Sequence, residues 1–206
     1  METELRASWT LDLGTGRGAD AVLDDLLLRH REPHRRYHTL AHVAHVLRAL
    51  RGLLAEVPVP DPVAVRLGGW FHDAVYEPAS TTNEADSAAL AERVLPGAGV
   101  GPDRVEAVAR LVLATATHEP AADDEAVLVD ADLGVLAADP SGYSAYTEQV
   151  WAEYAHIDDE TWRERRARFL EGFLARPQIF FTPPARHLEA RARANLTAEL
   201  CRVQDG

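Results

Sequence analysis

Five histidines, His30, His34, His38, His42 and His45, fall within sixteen positions of a chain that holds nine. On a helix, His38 and His42 (i, i+4) share a face, as do His42 and His45 (i, i+3). The spacing of His38 and His42 is similar to that of the zinc-protease helix. Thr39 stands where that pattern needs a glutamate as general base, so peptidase chemistry is not expected. A second stretch, Trp70-Phe71-His72-Asp73, sets an imidazole beside a carboxylate at the end of an apolar helix. Burying both is costly unless something pairs with them. Neighbours on a helix point a quarter-turn or more apart, yet they reach one ion when the helix end bends. A third stretch, Leu128-Val129-Asp130-Ala131-Asp132-Leu133, places two acids inside a run that otherwise reads as core. Carboxylates in such places take a cation or an arginine as partner.

The order of these residues resembles the HD-domain metal-dependent phosphohydrolases. Their pattern is a histidine on one helix, a His-Asp pair on the next, and a later aspartate in an Asp-Ala-Asp context. The matching residues are His42 within Tyr37 to Val43, His72-Asp73, and Asp132 within Asp130 to Leu133. Pro33 to Val43, Trp70 to Tyr76, Asn83-Glu84, Glu153 to His156 and Phe169 to Thr182 are similar to one bacterial branch of predicted HD hydrolases. The resemblance therefore covers most of the chain. It implies His42, His72, Asp73 and Asp132 as metal ligands, with Asp130 as a cap or as an acceptor behind the site. Such a donor set suits one divalent ion: Mn, Fe, Co, Ni, Zn or Mg. The implied reaction is hydrolysis of a phosphate ester or phosphoanhydride in a small, nucleotide-like molecule, with water activated by the ion. A di-iron oxygenase and a non-catalytic ligand-binding protein with a structural metal are the alternatives. Between Ala74 and Ala131 the only further histidine is His118, fewer than a second metal site usually wants, which favours one ion over two.

Around the expected ligands stand the groups that would handle substrate. Glu84, together with Asp73, is the expected catalytic pair, Glu84 serving as general acid or base. Thr81 and Glu84 also have capping-box spacing, so a structural role competes. Arg36, His38 and His118 are the expected substrate contacts, with Arg35 as an alternative to Arg36 for bidentate phosphate binding. Arg163, Arg165, Arg166 and Arg168 read as a solvated helix face with one member turned inward.

The elements that must position these residues are helical. Apolar residues recur at spacings of three and four in Asp20 to Arg31 and in Leu40 to Val57. Asp61-Pro62 opens a helix that should run to about Ala74. Further helices are expected from Thr81 to near Pro96, Pro102 to Thr115, Ala126 to Ala137, Asp139 to Ala155, Asp159 to Ala175 and Pro184 to Arg202. The glycines at 14, 16 and 18 read as a loop. No segment alternates like a strand pair. The expected fold is all-α, a single HD-like domain over 1–206 of about nine helices. Its metal-binding core spans about 20–137, and helices from about 139–202 pack on it.

Composition narrows the partners. The formal net charge is −12, which argues against duplex nucleic acid and anionic membranes while leaving room for a small phosphorylated substrate. All 21 basic residues are arginine, so lysine nucleophiles and a P-loop are excluded. The single cysteine, Cys201, allows neither an internal disulfide nor a thiolate cluster. No membrane span or signal-peptide pattern is visible, so a cytoplasmic protein is expected, with homo-oligomerisation open.

Overall fold

The computed structural model describes residues 1–78 and 80–205. Ten α-helices follow one another: α1 (Glu2–Leu13), α2 (Arg17–Arg29), α3 (Leu40–Glu56), α4 (Pro62–Phe71), α5 (Asn83–Val94), α6 (Pro102–Ala114), α7 (Asp123–Asp132), α8 (Pro140–Glu153), α9 (Asp159–Ala175) and α10 (Glu189–Asp205). Short 3-10 turns cover Leu95–Ala98, Leu133–Ala137 and Pro183–Leu188. No strand occurs among the described residues, and none of their helices is long and apolar enough to cross a membrane.

Helix α1 falls where the sequence reading placed no element. Its apolar stripe is short, Leu5 and Trp9 being its buried residues, and tertiary contact fixes it. Trp9 meets Trp70 edge-on at 5.4 Å, and Arg66 on α4 pairs with Asp12. The expected loop at 14–18 is shorter than the sequence suggests, because α2 begins at Arg17. Gly18 lies in its first turn, where a Cβ would stand 2.0 Å from the Gly97 carbonyl oxygen.

Apolar side chains of α1 to α7 build one core cluster, and those from Val129 onward build another. Helix α7 belongs to both: Val127, Leu128 and Ala131 face the first, Val129 the second. A helix clothed in apolar side chains all round is buried all round, so helix prevails over strand in this valine-rich run. The expected Ala126 to Ala137 helix starts earlier and tightens into a 3-10 turn after Asp132.

Two adjacent glycines let α4 wedge between its neighbours. A Cβ on Gly68 would stand 3.1 Å from Leu128 of α7, and one on Gly69 would stand 2.8 Å from Leu50 of α3. Close backbone approach therefore sets the three helices that carry the His and Asp motifs side by side.

Candidate metal centre

Helix α3 starts on Thr39, whose hydroxyl oxygen accepts from the Ala41 N–H. One turn in, His42 points inward from the buried stripe that carries Val43, Val46 and Leu50. Asp61 caps α4 through the N–H groups of Val63 and Ala64, with Pro62 in its first turn. That helix ends at Phe71, short of the expected Ala74. The Ala74 N–H donates to the Phe71 carbonyl, a tighter turn than an α-helix makes. This bend brings the adjacent His72 and Asp73 side chains to one point.

Arg35 stabilises the bend. Only 3% exposed, it donates to the carbonyls of Asp73, Ala74 and His38 and pairs with Glu32. It thereby satisfies orphan carbonyls beyond the helix end and ties them to the segment before α3. Arg35 is thus a structural clamp.

The donor atoms converge closely. His42 Nε2 and His72 Nε2 are 2.9 Å apart. Asp73 Oδ2 lies 3.3 Å from the first and 3.0 Å from the second. Asp132 Oδ1, at the end of α7, lies 3.2 Å and 3.5 Å from them. His42, His72 and Asp73 offer atoms all within 4.8 Å of one another, and Asp132 adds an oxygen against both imidazoles. Ligand bonds of about 2 Å need donors at such separations. His72 Nδ1 donates to the Gly69 carbonyl 3.0 Å away, so Nε2 is the ring nitrogen turned to the centre. His42 Nδ1 is buried with no partner among the described residues, and the ring rests instead against Tyr37.

Burial alone would lower the pKa of His72, but the charges of Asp73 and Asp132 outweigh it and hold the imidazole well above its usual range. His42 is raised too, its burial overcome by hydrogen bonds to the same two acids. Burial would raise both carboxyls; contact with the imidazoles holds Asp73 and Asp132 well below the usual carboxylate range. A cluster that draws in positive charge this strongly fits a divalent cation.

His72, Asp73 and Asp132 line a cavity of about 820 Å³, and His42, packed against them, is not among its lining residues. His38, Tyr76, Glu84 and His118 line the same cavity, as do Trp162, Arg165, Phe169 and Arg176 from the α9 region. His118 sits in the left-handed region, φ 51, and its Nε2 meets Asp132 Oδ2 at 3.0 Å. It thus engages the oxygen of Asp132 that the other imidazoles leave free. Arg176 holds that loop by donating to the carbonyls of Thr117 and His118.

Glu84 does not form the capping box anticipated from its spacing. Thr82 is the N-cap of α5 and makes no side-chain cap bond. Asn83 supplies the local tether through two hydrogen bonds with the backbone of Glu77, and Glu84 is left to line the cavity. Arg36, expected as a substrate contact, is not among the residues that line the cavity. Its guanidinium is exposed and folds back on the carbonyls of Pro33 and Arg35, because Glu153 takes the backbone N–H groups here and turns the side chain outward. Asp130 turns away from the centre and accepts from the Phe181 and Thr182 N–H groups and the Thr182 hydroxyl, anchoring the segment before α10. In the arginine run, Arg166 is the inward member and is bound by Glu199, while Arg163, Arg165 and Arg168 are exposed.

Sequence reasoning missed Glu153. Its carboxylate is fully buried and accepts from the N–H groups of Arg36, Tyr37 and His38, from His38 Nδ1 and from the Tyr76 hydroxyl. Burial would raise this carboxyl, but the hydrogen bond and charge of His38 and the backbone donors bring it down to about 2. The signal was available: Tyr143, Tyr146, Val150 and Glu153 form one buried stripe of α8, with an acid at its last position.

Comparison with family models, with curated proteins and with solved structures finds no match to this chain.

Proposed function

We propose that this protein is a metal-dependent phosphohydrolase of the HD-domain kind, acting on a phosphate ester or phosphoanhydride of a small, nucleotide-like molecule. The observation that carries the reading is that the Nε2 atoms of His42 and His72 stand 2.9 Å apart, each with an oxygen of Asp73 and an oxygen of Asp132 at 3.0 to 3.5 Å, in a cluster that borders a cavity. His42, His72, Asp73 and Asp132 would hold one divalent ion, for which Mn, Fe, Co, Ni, Zn and Mg are all suited by donor type. Bound there, such an ion supplies Lewis-acid polarisation of a phosphoryl oxygen and makes water a stronger acid. His118 and the Gly69 carbonyl orient Asp132 and His72. Glu84 makes no hydrogen bond through its side chain among the described residues and is free to exchange a proton with the reacting group. Arg165 faces the same cavity without an acidic partner among the described residues and attracts an anion into a strongly acidic protein.

Access favours an enzyme over a structural metal, since three of the four donors line the cavity. Among the described residues one mutually close group of donors occurs, which favours hydrolysis with one ion over a di-iron oxygenase. The test is elemental analysis of protein purified without chelator, followed by a phosphate-release screen over nucleotides and sugar phosphates with each of the six ions. About one equivalent of metal with ion-dependent phosphate release is expected. Two equivalents of iron with substrate-dependent oxygen uptake would overturn the proposal.

A further inference from the structure

Glu153 and His38 form a unit that the ligand set does not account for. Both oxygens of the carboxylate are engaged: Oε1 by the backbone N–H groups of Arg36, Tyr37 and His38, Oε2 by His38 Nδ1 at 2.7 Å and the Tyr76 hydroxyl at 2.9 Å. An ionised carboxylate only accepts, so the His38 proton at this contact sits on Nδ1. The ring is held on its face as well, stacked on Tyr76 at 4.0 Å and meeting Tyr37 edge-on at 5.0 Å. With Nδ1 bound and the ring fixed, Nε2 is the nitrogen left for a ligand. It has no hydrogen-bond partner among the described residues, and His38 lines the same cavity as Asp73.

We propose that Glu153 is a positioning residue that fixes His38 with its proton on Nδ1, so that Nε2 accepts a proton from the water that attacks the phosphoryl group beside Asp73. The inference rests on the phosphohydrolase reading. In the step, the water oxygen bonds to phosphorus, one water proton passes to Nε2, and the P–O bond to the leaving group breaks with its electron pair on the departing oxygen. Glu153 then faces a positively charged imidazole, as the carboxylate of a Ser-His-Asp triad does. A buried acid bound by five donors is well suited to this, because it moves little between the two charge states of its partner.

Glu153→Gln has a defined consequence. The amide oxygen keeps the three backbone N–H groups, since turning the NH2 toward them would set donors against donors. The NH2 then faces His38 Nδ1 and moves the ring proton to Nε2. His38 would meet the cavity as a donor where it had been an acceptor, in an otherwise similar fold.

The experiment combines kinetics with ring-nitrogen NMR. Wild type, Glu153→Gln, His38→Ala and the double variant are assayed on bis(p-nitrophenyl) phosphate with Mn2+, whose nitrophenolate leaves without needing an acid. Loss of kcat by about 10²-fold or more is expected for His38→Ala, and about tenfold or more for Glu153→Gln, with KM little changed. The double variant should be no slower than His38→Ala alone. The nitrogen spectrum should show His38 protonated at Nδ1 in the wild type and at Nε2 in Glu153→Gln. An equal further loss of kcat when Glu153→Gln is added to His38→Ala would overturn the proposal. A wild-type His38 protonated at Nε2 would do so too, and that measurement needs no variant to fold. If the wild type hydrolyses no phosphate ester with any divalent ion, the phosphohydrolase reading fails and the proton-acceptor role goes with it. The wild-type spectrum still decides separately whether Glu153 positions His38.

Discussion

Replacing Asp73, a proposed ligand, with Asn separates its charge from its shape. Asp73 Oδ2 lies against the Nε2 atoms of both His72 and His42, so its charge acts on two imidazoles at once. In the ion-free protein this carboxylate and Asp132 raise the pKa of both imidazoles against the effect of burial. A group whose folded pKa is raised stabilises fully below its unfolded value of 6.5, and that stability is lost as pH climbs through the raised folded value. A divalent ion works in the opposite sense. It must displace the imidazole protons, so it binds more tightly as pH rises. At about a hundred times its dissociation constant, the ion stabilises the fold by about 2.7 kcal/mol. For a chain of 206 residues that is a gain in Tm of about 5–11 °C. The gain should be larger near pH 8 than near pH 6. Asp73→Asn removes one of the two negative charges and sets an amide against the imidazoles. We expect the ion-induced gain to fall below about 2 °C on the same scale, with the helical circular dichroism preserved. Thermal melts with and without Mn2+ at both pH values, with metal content measured on the same samples, read this directly. A wild-type gain that shrinks toward high pH, or an Asn variant that keeps the full gain, would refute the reasoning.

Glu84→Gln should keep its metal and lose turnover by about 10²-fold, because it changes proton transfer and leaves the donors in place; metal content and phosphate release on one preparation check both halves. Asp130→Ala should cost about 2–4 kcal/mol in urea unfolding, since it strips the Phe181 and Thr182 N–H groups of their acceptor. A loss under about 1 kcal/mol would show that the segment before α10 is held by other contacts. Gly69→Ala should cost about 1–3 kcal/mol, because its Cβ would stand 2.8 Å from Leu50 and push α4 off α3. The same variant should weaken the ion-induced Tm gain by moving His72 away from His42.

The all-helical fold was legible in the sequence, because apolar periodicity and caps such as Asp61-Pro62 are local properties of the chain. Helix α9 begins and ends where its pattern indicates, at Asp159 and Ala175. The residues that meet at the centre were legible as well, since a histidine beside an aspartate in an apolar run stands out by its desolvation cost. Local pattern failed where a residue's role depends on a partner far along the chain. Helix α1 exists because Trp9 meets Trp70 across the fold. Arg35 and Arg36 look alike as neighbours, yet burial beneath the end of α4 makes the first a clamp, and the hydrogen bonds of Glu153 turn the second outward. Glu153 lies 115 positions from His38, and only packing of α8 on the segment before α3 brings them together. The sequence by itself pointed to the histidines and aspartates that meet at the centre. The tertiary structure decided which groups orient them, because two glycines and one buried arginine set the approach of α4 that no local pattern encodes.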